Sequence, residues 1–133
     1  MFTPFFAAPV QVSAHCDLPC GIYDPAQAKI EAESVKACMV KAAASGDADF
    51  KARALIVKEE RSDLVKHHLW VLWTDYFKPP HFEKYPQLNT LFNKATKLAG
   101  AGGTKGTMDE AVADQLLAKI EDISKIFWET KAA

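Results

Sequence analysis

The chain has no excess of either charge: 16 Lys and Arg stand against 17 Asp and Glu, a formal net of −1. A basic surface for nucleic acid is therefore not expected, and attraction for an anionic substrate would have to be local. No run approaches the ~20 apolar residues of a membrane helix. Cysteine is scarce and odd in number, three in all, which excludes a disulfide framework that uses every thiol. Nothing reads as a strand of useful length, and there is no internal repeat. The Gly-rich stretch 100–106 is not a phosphate-binding loop, because Thr104 stands where glycine must precede the lysine. The Glu-x-x-His pairs of a di-iron bundle are missing too: Ser62 lies three after Glu59, and Asp63 three after Glu60.

What is present is helical. At 133 residues the chain is one domain by size, and 49% hydrophobic residues are too many for a disordered one. Asp24-Pro25-Ala26-Gln27 reads as a helix start, with Asp24 capping, Pro25 in the first position and Gln27 completing a capping box. This helix should run to about Ser45, with Ala26, Ile30 and Cys38 on its apolar face; Cys38 is then an ordinary core thiol. Asp47 starts a second helix whose inward positions are Phe50, Ala54, Val57, Leu64, His68, Leu72 and Tyr76. Pro79-Pro80 ends it. A third helix is predicted over 83–99, with Pro86 in its first turn and Leu88, Leu91, Ala95 and Leu98 inward. A flexible connection over 100–106 leads to a capping box of Thr107 and Glu110. The last helix follows, marked by Val112, Leu116, Ile120, Ile123 and Phe127. Four amphipathic helices with short links make an all-α, antiparallel four-helix bundle the natural architecture, over residues 24–133.

The chemistry lies before it. His15-Cys16-Asp17-Leu18-Pro19-Cys20-Gly21-Ile22-Tyr23 places one imidazole and two thiols within six residues, soft sulfur and borderline nitrogen close enough to wrap one transition-metal ion. It follows an uncharged leader, residues 1–14, ending Val12-Ser13-Ala14. Cleavage after Ala14 would free an α-amine on His15. That amine, the next amide nitrogen and two thiolates would make a compact N/S set. The leader ends like a signal-peptidase site, but it lacks a basic residue before its apolar part, and Pro4 and Pro9 interrupt it. On these residues alone, Cys16 and Cys20 also suit a disulfide. They equally suit half of a zinc site completed by His67, His68 or His81.

Residues 15–23 resemble the nickel hook of the nickel-containing superoxide dismutases. Residues 24–28, 30–36, 73–86 and 125–131 also look like segments of that family, so the resemblance runs from His15 almost to the C-terminus. It implies a cytoplasmic homohexamer made as a precursor, with a dedicated protease removing residues 1–14 and leaving a domain over 15–133. It implies nickel, one per subunit, cycling between nickel(II) and nickel(III) while superoxide becomes dioxygen and hydrogen peroxide. Thiolate and deprotonated-amide donors suit that cycle by stabilising the oxidised metal.

By the same resemblance Cys16 and Cys20 supply thiolates, and the Cys16 main-chain nitrogen and the His15 α-amine complete the plane. The His15 imidazole is the axial ligand. Glu31 and Arg61 align with a carboxylate and a guanidinium that orient this ring. The Tyr23 hydroxyl lines the access path, Asp17 supports the hook through main-chain contacts, and Tyr76 and Lys78 brace it, from a neighbouring subunit in one reading. Pro19 can take the cis form at a cost of about 0.5–1 kcal/mol over trans, which would fold Cys20 back towards Cys16. Gly21 lets the chain leave the loop at an unusual angle. The histidines at 67, 68 and 81 are expected in packing or interface roles. Trp70, Trp73 and Trp128 are expected in the core or in subunit contacts. The rival to the enzyme is a helical protein that stores metal on the thiols.

Overall fold

The computed structural model describes residues 21–133. The leader and the hook residues His15, Cys16, Asp17, Pro19 and Cys20 lie outside the described residues. Among the described residues the chain is all-helical: α1 (Ala26–Ala44), α2 (Ala48–Val71), a π-turn (Leu72–Tyr76), α3 (Pro79–Lys84), α4 (Leu88–Leu98) and α5 (Glu110–Ala132).

The helix starts are set by short acidic side chains. The Asp24 carboxylate accepts the Ala26 amide hydrogen (2.8 Å), and Asp47 accepts those of Asp49 (2.9 Å) and Phe50 (3.4 Å). At α5 the cap is Asp109, which accepts from Ala111 (2.9 Å). Thr107, expected there, instead accepts the Asp109 amide hydrogen (3.1 Å) and holds the capping residue itself.

α1, α2, α4 and α5 pack as a four-sided bundle, α1 on α2 and α5, α4 on α5 and α2. Cross-helix pairs show the directions. Lys29 meets Glu121 (3.9 Å) and Lys36 meets Asp114 (2.6 Å), so rising numbers on α1 meet falling numbers on α5. The bundle is antiparallel, as the short links require.

Buried positions follow alternating steps of three and four: Ala28, Ala32, Val35, Met39 and Ala42 on α1; Val65, Leu69 and Leu72 along α2; Ala113, Leu116, Ile120, Ile123 and Phe127 on α5. That spacing gives the small crossing angles of bundles. The face of α1 is rotated from expectation: Ala26 is exposed, Ile30 is 59% exposed and Cys38 is only half-buried. The inward alanines carry little apolar signal but let α2 approach closely. On α2, Phe50 and Val57 are exposed, and the buried stripe passes through Ala54, Lys58 and Ser62. On α5, Ala113 rather than Val112 is buried.

α2 runs on through the π-turn to Tyr76 and stops ahead of Pro79-Pro80; the two prolines open α3, where proline in the first turn forfeits no helical hydrogen bond. The predicted helix over 83–99 is therefore two, broken around Tyr85-Pro86-Gln87. Phe92 is buried, while Leu91 and Leu98 pack partly against the core.

The connection 100–106 is folded. Thr104 is fully buried, its amide donates to the Leu98 carbonyl (2.6 Å) and that of Lys105 to Gly100 (3.1 Å). A side chain at Gly103 would collide with the Leu98 carbonyl. Lys58, fully buried on α2, holds this turn through three contacts, with the Thr104 carbonyl (2.6 Å), the Thr107 carbonyl (2.9 Å) and Glu59 (2.8 Å). An ammonium has three hydrogens, and all three are used. The Ser62 and Thr104 hydroxyls pair beside it (2.8 Å).

Candidate metal hook and the aromatic end of the bundle

The hook leads into the end of the bundle opposite the Lys58 turn. Gly21 has φ +71°, a left-handed conformation that glycine adopts without penalty, and this matches the expected turn of the chain out of the hook. Two residues on, the half-buried Tyr23 ring lies 5.6 Å from that of Tyr76.

Tyr76 ends the π-turn. The Phe77 amide donates to the Leu72 carbonyl (3.0 Å), five residues back, and the widened turn re-aims the residues that follow. The Tyr76 ring packs 4.3 Å from Phe127, 4.9 Å from Phe77 and 5.7 Å from His81, the last nearly parallel. Its hydroxyl lies 2.6 Å from the Thr130 hydroxyl, and Thr130 donates to the Phe127 carbonyl (2.6 Å). Lys131 places its ammonium 5.3 Å from the Tyr76 ring centre, a cation–π distance.

Lys78 is exposed, and its amide donates to His81 Nδ1 (3.0 Å). His81 thus ties the backbone at Lys78 while stacking on Tyr76, a packing role as expected. For a site, the sequence offered His81 only as a candidate zinc ligand and did not single out Thr130; their contacts with Tyr76 come from the fold.

Glu31 and Arg61 do pair across α1 and α2, with Arg61 Nη1 at 3.2 and 3.4 Å from the two carboxylate oxygens. Glu31 is the more buried partner. They are not beside Tyr76: Arg61 and Tyr76 are fifteen residues apart on one nearly continuous helix, roughly 20 Å along its axis. The structure thus brings Tyr23 together with Tyr76, and Glu31 with Arg61, as two separate clusters. Fully extended, residues 15–20 reach roughly 20 Å from Gly21.

Among the described residues no group of three His, Cys, Asp or Glu could hold a metal ion. Burial pushes the Cys38 thiol up, partly opposed by Lys41 and Arg61, and a protonated thiol is a poor metal ligand. The donor set that fits a metal is the sequence set His15, Cys16 and Cys20: two thiolates and nitrogen donors suit a soft to borderline ion. Trp70, Trp73 and Trp128 are 49%, 44% and 52% exposed, so none is a core residue.

Known proteins give the same direction. The profile of nickel-containing superoxide dismutase matches residues 10–131. The superoxide dismutase [Ni] of Streptomyces seoulensis is 59% identical over the full length of both chains, and that of Streptomyces coelicolor (strain ATCC BAA-471 / A3(2) / M145) is 57% identical, again over both full lengths. A crystal structure of Ni-containing superoxide dismutase with nickel ligation corresponding to the oxidised state superposes with a TM-score of 0.85 at 60% identity, covering 90% of this chain and 100% of its own. A native nickel superoxide dismutase structure gives 0.85 at 58% identity with the same coverage. Its helical body, its hook sequence and these full-length matches place the chain in the nickel-containing superoxide dismutase family.

Proposed function

We propose that this chain disproportionates superoxide into dioxygen and hydrogen peroxide with one nickel ion held by His15, Cys16 and Cys20. The observation that carries the reading is the hook sequence itself, set directly before a body that matches its relatives end to end. Bound there, nickel supplies a one-electron couple.

The remaining roles belong to the chain. Removal of residues 1–14 by a processing protease frees the His15 amine and leaves a domain over 15–133. Support comes from coverage: the two curated relatives match all of this chain, whereas the native and oxidised-state structures match 90% of it. The missing tenth is the size of the leader.

Cys16 and Cys20 offer thiolates, and the Cys16 amide nitrogen offers a further donor. Pro19 and Gly21 shape the loop between them, and Asp17 supports it through main-chain contacts. The Glu31–Arg61 pair orients the His15 imidazole; a carboxylate is a common acceptor for the other ring nitrogen of a metal-bound histidine. Tyr23 narrows access to molecules of superoxide's size and holds water or peroxide, while Tyr76 and Lys78 brace the hook.

The assembly is a homohexamer. Its number comes from the resemblance, and the exposure of Ile30, Leu55, Ile56 and Trp70 supports self-association. No described helix is long and apolar enough to cross a membrane; we place the protein in the cytoplasm, because the leader lacks a basic start.

The test compares protein beginning at Met1 with protein beginning at His15, measuring superoxide turnover and nickel content on both. The His15 form should be faster by at least ~100-fold, the effect of losing a metal ligand or its support. Equal turnover would refute the need for the free amine. Nickel binding without turnover in either form would favour a storage protein.

A further inference from the structure

We infer that the groove between α2 and α4 binds a nucleoside monophosphate, with its base against Trp70 and Trp73 and its phosphate at Lys66 and Lys97. The site is separate from the hook, and nickel plays no part in it.

Two cavities, of about 430 and 500 Å³, lie along this face and share Trp70, Asn93 and Thr96 as walls. They form one groove, within the size range of small-molecule sites. Along α2 and the π-turn it runs from Lys66 to Trp73, roughly 10 Å. That is the span of a base, a sugar and a phosphate.

Its two ends differ in chemistry. At one stand the indoles of Trp70 and Trp73, 49% and 44% exposed, and flat faces of that kind stack on any base. Trp73 Nε1 donates to Asn89 Oδ1 (3.0 Å). This fixes both side chains and leaves the Asn89 amide hydrogens to donate. Asn93, one turn further along α4, offers a second carboxamide, the group that pairs with an adenine edge through one donor and one acceptor.

The other end is cationic. Lys66 and Lys97 line it beside Gly100-Ala101-Gly102. The Lys66 ammonium lies 5.3 Å from the Trp70 ring centre. It also reaches the turn, where a Cβ on Gly100 would stand 3.4 Å from it. Among the described residues neither lysine pairs with a carboxylate, whereas Lys105 in the same turn is held by Asp63 (2.7 Å). Among the described residues no Asp or Glu lines either cavity. Two unneutralised ammoniums beside a stacking surface favour an anion with an aromatic body over a neutral ring or a bare anion. The phosphate is held by side chains from two helices, so it needs no phosphate-binding loop at 100–106.

Adenosine monophosphate titrated into the full chain, followed by calorimetry, should bind at one site per chain. Adenosine and inorganic phosphate should each bind more weakly than the nucleotide. Trp70→Ala should weaken the nucleotide roughly tenfold, the loss of one stacking face. Lys66→Met should also weaken it roughly tenfold, the loss of one hydrogen bond to a charged group, while leaving adenosine unaffected. No binding, the result if a second copy of the chain covers Trp70, would overturn the proposal. So would phosphate that binds as tightly as the nucleotide, or nucleotide binding indifferent to both substitutions.

A second measurement needs no variant. In the wild-type protein the adenine ring hydrogens should give nuclear Overhauser contacts to the indole of Trp70 or Trp73. Contacts to Trp128 alone would overturn the assignment. Neither experiment reads superoxide turnover, so this site and the enzyme reading stand or fall separately.

Discussion

The two ends of the bundle are both tied by polar side chains, fully buried at one end and half-buried at the other, and they use them differently. At the Lys58 end every strong donor is satisfied inside the protein: the ammonium takes two carbonyls and a carboxylate, and Ser62 takes Thr104. At the Tyr76 end a chain of hydroxyls runs from the Phe127 carbonyl through Thr130 to the Tyr76 phenol, whose ring lies beside that of Tyr23. The first pattern closes a turn. The second ties the π-turn to the end of α5. The difference teaches that a fully buried charge must close its own circle of partners, whereas half-buried hydroxyls can be strung in a line between two helices.

The largest test of that contrast is Lys58→Met. It strands the Thr104 and Thr107 carbonyls and the Glu59 carboxylate, and should cost about 3 kcal/mol, near the lower end for breaking a buried ion pair. Urea unfolding would read the loss, while turnover per bound nickel should hold. A fall in turnover per nickel would break the division between the ends.

Ser62→Ala leaves the Thr104 hydroxyl without its partner and should cost about 1–2 kcal/mol. Thermal unfolding of the nickel-free protein would show it.

Glu59→Gln should have the smallest effect, under about 1 kcal/mol at neutral pH because the carboxylate is partly exposed. Burial would raise the Glu59 pKa, but hydrogen bonds from Lys58 and the Gly106 amide, with the charges of Lys58 and Lys105, hold it below the usual carboxylate value. The folded state therefore releases this proton more readily than the unfolded one. The contribution is complete above the ordinary glutamate pKa, about 4.3, and is lost as pH falls through the folded value. Unfolding curves of wild type and Glu59→Gln should converge in that acid window; convergence at alkaline pH instead would contradict the sign.

Much of the fold was legible in the sequence. Asp47 announces its helix, because capping is local: a carboxylate and the amides two and three residues later. The stop of the helical run at Tyr76, just ahead of the double proline, is local too. The inward face of α1 was not legible, since Ala28, Ala32 and Ala42 carry little hydrophobic weight beside the exposed Ile30. Lys58 was not legible either. A lysine on an apolar stripe reads as an interruption until the carbonyls of Thr104 and Thr107, more than forty residues away, come to meet it.

At the site, the hook was readable because its chemistry is packed into six residues, and the Glu31–Arg61 pair was readable through the family pattern. The Tyr76–Thr130 contact joins two segments separated by 54 residues, and a lone threonine near a C-terminus carries no signal of its own.

The π-turn at Leu72–Tyr76 has a consequence for how this chain can vary in length. A π-turn carries one residue more than the α-helical turn it replaces. Delete one residue there, and an ordinary helix can form with every hydrogen bond intact. Everything beyond it would keep nearly its present direction, because the residue lost is the one the wider turn absorbs. A deletion on α2 ahead of the turn has no such slack: it would rotate Tyr76 by about 100°, one α-helical step, away from Thr130 and Tyr23 although no contacting residue had been changed. The number of residues between Arg61 and Leu72 is thus a phase as well as a length, and an insertion or deletion there would retune the site from a distance.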